Sequence, residues 1–226
     1  MGDDGVKFWD IKTRTVQLSL EAGSKAAFTG AFGPGGKAFA AAGADGIVRV
    51  WDLPNPAPKY ALQTNTGKVL SLAWAPDGKS VVWGGDNFEI HWADPAHPAV
   101  EGSYLGCPGP VRVLAFGPEG RSLLCGSGKK GELKICRWES GKAREWKTMT
   151  EHANLVHEAA FSFDGKLLAT CSEDHWLKIC DATTHLVKQS FELRHPIHSV
   201  AFAPDGRHVV TANANGTFYV FRLKGS

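Results

Sequence analysis

GAFGPGGKAFAAAGADGIVRVWD, residues 30 to 52, holds two glycine turns between apolar runs and closes on Trp-Asp. The same order returns as LAWAPDGKSVVWGGDNFEIHWAD (72–94), LAFGPEGRSLLCGSGKKGELKICRW (114–138), AAFSFDGKLLATCSEDHWLKICDA (159–182) and VAFAPDGRHVVTANANGTFYVFRL (200–223). The turn glycines Gly36, Gly78, Gly120, Gly165 and Gly206 are 42, 42, 45 and 41 residues apart. A closing aromatic or cysteine falls at Trp9, Trp51, Trp92, Cys136, Cys180 and Phe221, in steps of 42, 41, 44, 44 and 41. Two landmarks on one period define a repeat array, and one repeat is one supersecondary unit that must stack on its neighbours to bury a core.

Each unit reads as antiparallel strands. A run such as VLSLAW (69–74) is rich in branched and aromatic residues, which suits a packed strand. APDG (75–78) then supplies a turn: proline presets φ, aspartate tolerates the next position, and glycine accepts the left-handed one. KSVVW returns the chain as a second strand. Another tight turn, carrying Asp45-Gly46, Asp86-Asn87 or Asn215-Gly216, leads to a third strand such as IVRVW, in which Arg49 is expected to face outward. TVQLSL (15–20) and LVKQSFEL (186–193) read as a fourth, more polar strand. The expected fold is all-β, with four-stranded antiparallel units in one domain over residues 1–226 and repeats at 1–11 (partial), 12–53, 54–94, 95–139, 140–182 and 183–226.

These residues resemble the WD-repeat β-propeller family, in its bacterial tandem-repeat form, over nearly the whole chain. Trp9-Asp10, Trp51-Asp52 and Trp92 match the closing signature, the PDG-type turns match the one before the second strand, and Asp45, Asp86 and Asp174 match the turn before the third. The resemblance implies a buried network in each blade joining histidine, a Ser or Thr, the turn Asp and the Trp. Glu151-His152 is the nearest match to the family's Gly-His, and His152 has Thr170 and Asp174 with Cys180 where Trp would stand. It also implies that one repeat supplies the last strand of one blade and the first three of the next. Residues 5–9 and 15–20 then count as two strands, four full blades lie between 28 and 193, and residues 197–223 add three, for 21 strands. Five closed blades use 20, so two arrangements stay open: a closed five-blade ring, or an arc of a larger ring, the family usually closing seven. The surplus strand favours the arc, whose open edges would need further blades or another chain.

The remaining signals exclude more than they assign. With 25 basic and 23 acidic residues and no long basic run, nucleic acid is not an expected partner. Nor is a membrane, since no apolar stretch approaches the length of a spanning helix and the N-terminus lacks a signal-peptide pattern. Cys107, Cys125, Cys136, Cys171 and Cys180 form no C-x-x-C pair, which suits reduced thiols and a cytoplasmic setting. Cys107, in a Gly-Cys-Pro-Gly loop, is the one with a claim to exposure. HEAAF (157–161) lacks the second histidine of a zincin and lies on a strand, and His195 and His198 point to opposite faces of an extended chain. GSGKKG (126–131) lacks P-loop spacing and reads as a lengthened turn with Lys129 and Lys130 in solvent. No catalytic constellation, metal or cofactor is expected.

What is left is a surface. The resemblance places side chains four and six residues before the first-strand aromatic at the mouth of the channel. Counted from Phe32, Trp74, Phe116, Phe161 and Phe202, these include Phe28, Lys68, Leu70, Arg112, Leu155, His157 and His198. Apolar anchors beside cations suit a protein or peptide partner, an acidic or carboxylate-bearing one by charge. The expected role is a non-catalytic scaffold; the alternative is a regulatory or docking domain of a longer protein, such as a kinase fusion, with catalysis outside this segment.

Overall fold

The computed structural model describes residues 5–21, 23, 26–64, 67–105, 107, 109–126, 131–139, 142–150 and 152–224. Its backbone falls into two compact units, Met1–Val111 and Arg112–Ser226. Glu151, Lys129 and Lys130, singled out above, lie outside the described residues.

In the first unit, β1 (Val6–Trp9) pairs with β2 (Val16–Leu20). A four-stranded sheet follows in the order β3 (Ala27–Phe32), β4 (Ala38–Gly43), β5 (Ile47–Asp52), β6 (Tyr60–Gln63), and another in the order β7 (Val69–Trp74), β8 (Val81–Gly85), β9 (Glu89–Asp94), β10 (His97–Leu105). The second unit holds β11 (Val113–Phe116), β12 (Ser122–Gly126), β13 (Glu132–Glu139) and β14 (Lys142–Thr150) in one sheet. Its next sheet is β15 (Val156–Phe161), β16 (Leu167–Ser172), β17 (Trp176–Asp181) and β18 (Val187–Glu192). A three-stranded sheet ends it: β19 (Ile197–Phe202), β20 (His208–Asn213) and β21 (Phe218–Arg222). Every pairing is antiparallel and between chain neighbours, as blade-type sheets require. Among the described residues no helix is long and apolar enough to cross a membrane.

Turn chemistry sets these hairpins. Gly36, Gly78, Gly120, Gly165 and Gly206 all take φ between 66° and 74°, the left-handed region in which a side chain is strained. The turn into the third strand uses an Asx device: Asp45, Asn87, Asp174 and Asn215 each accept the N–H two residues on, at 3.0–3.3 Å. The residue after each, Gly46, Phe88, His175 or Gly216, has positive φ.

Middle strands bury both faces. In β4, Phe39 and Ala41 pack with Val6, Leu20 and Trp51 toward the preceding sheet, while Ala40 and Ala42 pack with Val69, Leu72 and Trp83 toward the following one. In β16, Leu168 packs toward β11–β14 and Ala169 and Cys171 toward β19 and β20. A strand sandwiched this way has no solvent face, so its sequence is a near-continuous apolar run.

Two sequence expectations shift by register and a third by packing. Val81 pairs with Ala93 as Phe39 pairs with Trp51, so Ala93, not Trp92, holds the closing position. Trp83 on β8, fully buried, supplies the bulk on that face in place of a third-strand tryptophan. Trp92 faces the other way and lies against the backbone of Gly102 on β10. Likewise Asn87, not Asp86, is the Asx residue of its turn. Arg49 does not face outward. Its guanidinium is largely buried in an ion pair with Asp45 at 2.7 Å.

Candidate functional site

The closing aspartates act locally. Asp10 accepts the N–H groups of Lys12 and Thr13 at 2.8 and 2.7 Å, Asp94 that of Ala96 at 2.7 Å, and Asp181 those of Thr183 and Thr184 at 3.0 and 2.9 Å. These turn donors hold the Asp10, Asp94 and Asp181 carboxyls below the usual range. Trp51 is fully buried and donates its indole N–H to the Pro56 carbonyl at 3.2 Å, whereas Trp9, in a two-stranded sheet, is 60% exposed.

Among the described residues, the blade of β15–β18 carries the histidine, hydroxyl and aspartate of the polar network. His152 Nδ1 meets the Asp174 carboxylate at 3.0 Å and its Nε2 meets the Thr170 hydroxyl at 2.8 Å. Asp174 also accepts the N–H groups of Ala153 and Trp176 at 2.9 and 3.0 Å. Burial raises the Asp174 pKa, but those donors and His152 outweigh it and leave the carboxyl below its ordinary range. Elsewhere the same space is filled differently. Gly23 stands three repeats before His152, and a Cβ there would lie 2.5 Å from both Arg49 and Asp45, so Arg49 occupies the volume of the missing histidine and takes its aspartate. In the following blade His91 stands at the repeat position of Arg49 and contacts Asn87 at 3.0 Å, its pKa lowered by burial against the opposing pull of Glu89. These replacements could have been read from the repeat alignment, since Arg49 and His91 stand 42 residues apart.

The predicted mouth residues share one backbone feature. Phe28 lies between the pairs Ala27–Gly43 and Thr29–Ala42, Leu70 between Val69–Gly85 and Ser71–Gly84, His157 between Val156–Ser172 and Glu158–Cys171, and His198 between Ile197–Asn213 and Ser199–Ala212. Each is the extra residue of a β-bulge, a device that re-aims a side chain out of the ladder. Arg112 stands at the equivalent position, its N–H bonded to the Gly126 carbonyl at 3.0 Å while Val113 pairs with the same residue. Phe28 is 47% exposed, Arg112 and His198 are exposed, and Leu70 and His157 are half-buried.

The second set is anchored through the backbone. The Lys68 and Leu155 carbonyls accept the N–H groups of Asp86 and Glu173 at 3.3 and 2.9 Å, which ties the start of the first strand to the turn after the second. Asp86 and Glu173 therefore occupy one repeat position beside the bulges. In the second unit the structure brings His157, Glu173 and His198 together: His157 Nε2 contacts Glu173 Oε2 at 2.5 Å, and the two imidazoles lie edge to face with centroids 4.8 Å apart. Comparing histidines along the chain missed this pair, because they meet across two blades.

Beneath the bulges the blades are tied by polar bonds. Ser71 donates to the Val111 carbonyl at 2.9 Å, and Glu158, at the same repeat position, accepts the Ser199 hydroxyl and the Val200 N–H. Cys125, Cys136, Cys171 and Cys180 are buried, as small hydrophobes, and Cys107 is half-buried. Burial, with Glu158 nearby, pushes the Cys171 thiol up, which leaves it an unreactive core group.

The model of the WD domain, G-beta repeat, matches residues 20–52, 144–181 and 187–222. These three segments are WD repeats. This WD-repeat chain is 26% identical over 82 residues to eukaryotic translation initiation factor 3 subunit I of Culex quinquefasciatus, covering 36% of this chain and 24% of that protein. It is 37% identical over 76 residues to Autophagy-related protein 18 of Meyerozyma guilliermondii, covering 32% and 13%. The subunit I of Mus musculus is 29% identical over 91 residues, covering 37% and 28%. The matched segment of this WD-repeat chain thus spans between 13% and 28% of these relatives' length.

Proposed function

We propose that this WD-repeat chain is a non-catalytic scaffold whose units each bind a protein or peptide segment at their bulged first-strand residues, Phe28 and Leu70 in the first unit and His157 and His198 in the second. The observation that carries the reading is the bulge itself, present at one repeat position in successive blades and presenting Phe28, Leu70, His157 and His198 out of the ladder. Within each unit, anchors repeated in register beside a cation suit an extended ligand better than a small molecule. A relative named as a subunit of a multi-subunit initiation factor supports an assembly role.

The exposed Lys68 and Arg112 favour a carboxylate-bearing partner. Asp86 and Glu173 stand near the same bulges, so the preference rests on those two cations rather than on the histidines. The test is a peptide array of Asp/Glu-rich peptides against their Asn/Gln counterparts. K68E and R112E should each lower retention of the acidic set by roughly tenfold, the size of one lost desolvated charge pair. Equal retention of both sets by the wild type, or unchanged retention by the double variant, overturns the reading.

A further inference from the structure

Among the described residues, His157, Glu173 and His198 are a group whose donor atoms all lie within 4.8 Å of one another. Their elements fix them. His157 and His198 are the bulged residues of β15 and β19, and Glu173 sits in the turn after β16, its N–H held by the Leu155 carbonyl at 2.9 Å. Glu158, next to His157, accepts bonds from Ser199 and Val200, next to His198, so the two backbones are clamped immediately below the imidazoles.

We propose that these three side chains form a binding site for a divalent transition-metal ion of the zinc type. The site goes beyond the peptide reading and does not depend on it. Two imidazoles and one carboxylate are the donor set such an ion prefers, whereas magnesium and calcium prefer oxygen alone. Zinc bonds to nitrogen and oxygen are about 2.0–2.2 Å long, which puts tetrahedral donors about 3.4 Å apart. His157 Nε2 and Glu173 Oε2, now 2.5 Å apart, open by about 1 Å, and His198 closes by a similar amount. Both adjustments are side-chain rotations at a half-open surface: the His157 side chain is 23% exposed and that of Glu173 41%. The ion takes the place of the contact between His157 Nε2 and Glu173 Oε2. Three protein donors leave a fourth position for water or for a carboxylate from outside.

The test uses tag-free protein and zinc alone, with affinity read by competition against a chromophoric chelator. One equivalent should bind with a dissociation constant on the order of micromolar, weaker than a closed four-ligand site. H157A and H198A should each weaken binding at least tenfold and E173Q by roughly tenfold, while H195A and H208A leave it unchanged and magnesium does not compete. On the wild type, imidazole nitrogen resonances of His157 and His198 should shift together on zinc addition, a readout that no variant's folding affects. Zinc affinity unchanged within about twofold in H157A and H198A, or zinc shifts confined to other histidines, overturns the proposal. Peptide retention on the acidic array without added metal is a separate readout, so failure of one proposal is distinguishable from failure of the other.

Discussion

Removing His152 should cost far more than its one repeat would suggest, and it should reverse the sign of a neighbouring substitution. The imidazole is fully buried between Asp174 and Thr170, whose hydroxyl is itself fully buried. H152A takes away a hydrogen bond to a carboxylate, worth about 1.5–3 kcal/mol, and the imidazole partner of the Thr170 hydroxyl, a further 1–2 kcal/mol or so. With the small cavity added, the loss is about 4 kcal/mol. T170V in the wild type keeps the shape and deprives Nε2 of its partner, costing about 1.5 kcal/mol. In the H152A background the same T170V removes a buried hydroxyl whose imidazole is already gone, so it should be neutral or stabilising.

The assay is urea denaturation of the wild type, both single variants and the double variant, followed by far-ultraviolet circular dichroism and tryptophan fluorescence. The coupling energy from the cycle should be about 1.5–2 kcal/mol. Additive costs, or an H152A cost near the 0.5 kcal/mol or so of an ordinary surface change, would refute the network as a buried, satisfied unit.

Two further outcomes follow from register and from turn chemistry. W51A and W83A, at fully buried positions, should each cost about 3–5 kcal/mol, W92A less and W9A under about 1 kcal/mol, in the same denaturation assay; an equal cost for W9A and W51A would contradict the register. Asp205 accepts the Arg207 N–H at 2.9 Å and contacts His208 at 2.6 Å, and these bonds bring its pKa down to about 2. A lowered folded-state pKa means that its stabilisation is complete above the unfolded value of about 3.9 and is lost as pH falls from there toward 2. Tm measured against pH should therefore fall less steeply between about pH 4 and 2 in D205N than in the wild type, and parallel curves would contradict it.

Periodicity and turn residues made the fold legible because they act locally: Gly78 or Gly165 needs only its own turn to require the left-handed conformation. Residue type at the repeat's end was a poorer guide. Trp92 looked like the closing tryptophan and Asp86 like the turn aspartate, yet each stands one residue early, because a buried face needs bulk rather than a particular strand to supply it. Trp83 fills the second blade from β8, and Ala93 takes the position that Trp51 fills on β5. The Asp94 step from Asp52, 42 residues as for the glycines, carried the correct register. Arg49 was misjudged for a related reason. An alternating strand predicts which face a side chain takes, but not that the opposing residue, Gly23, leaves a hole that a guanidinium fills.

The candidate site follows the same division. Counting back from the aromatic located Phe28, Leu70, His157 and His198 without showing what they had in common, because a bulge appears only when two strands are paired. The bulge changes how the chain should be read for chemistry. Side chains separated by one repeat, such as His157 and His198, are spatial neighbours. A donor set in a repeat protein of this kind is therefore to be sought at intervals of about one period. Glu173 enters the set because its turn is pinned to Leu155, one of the positions counted from Phe161. That same turn position carries Asp86 in the first unit, beside Leu70 rather than a histidine, so the repeat supplies the carboxylate in both places and the imidazoles in one. Ala44 and Ala214 stand at that position in two other blades, so the donor set varies blade by blade in the turn as well as in the bulged residue.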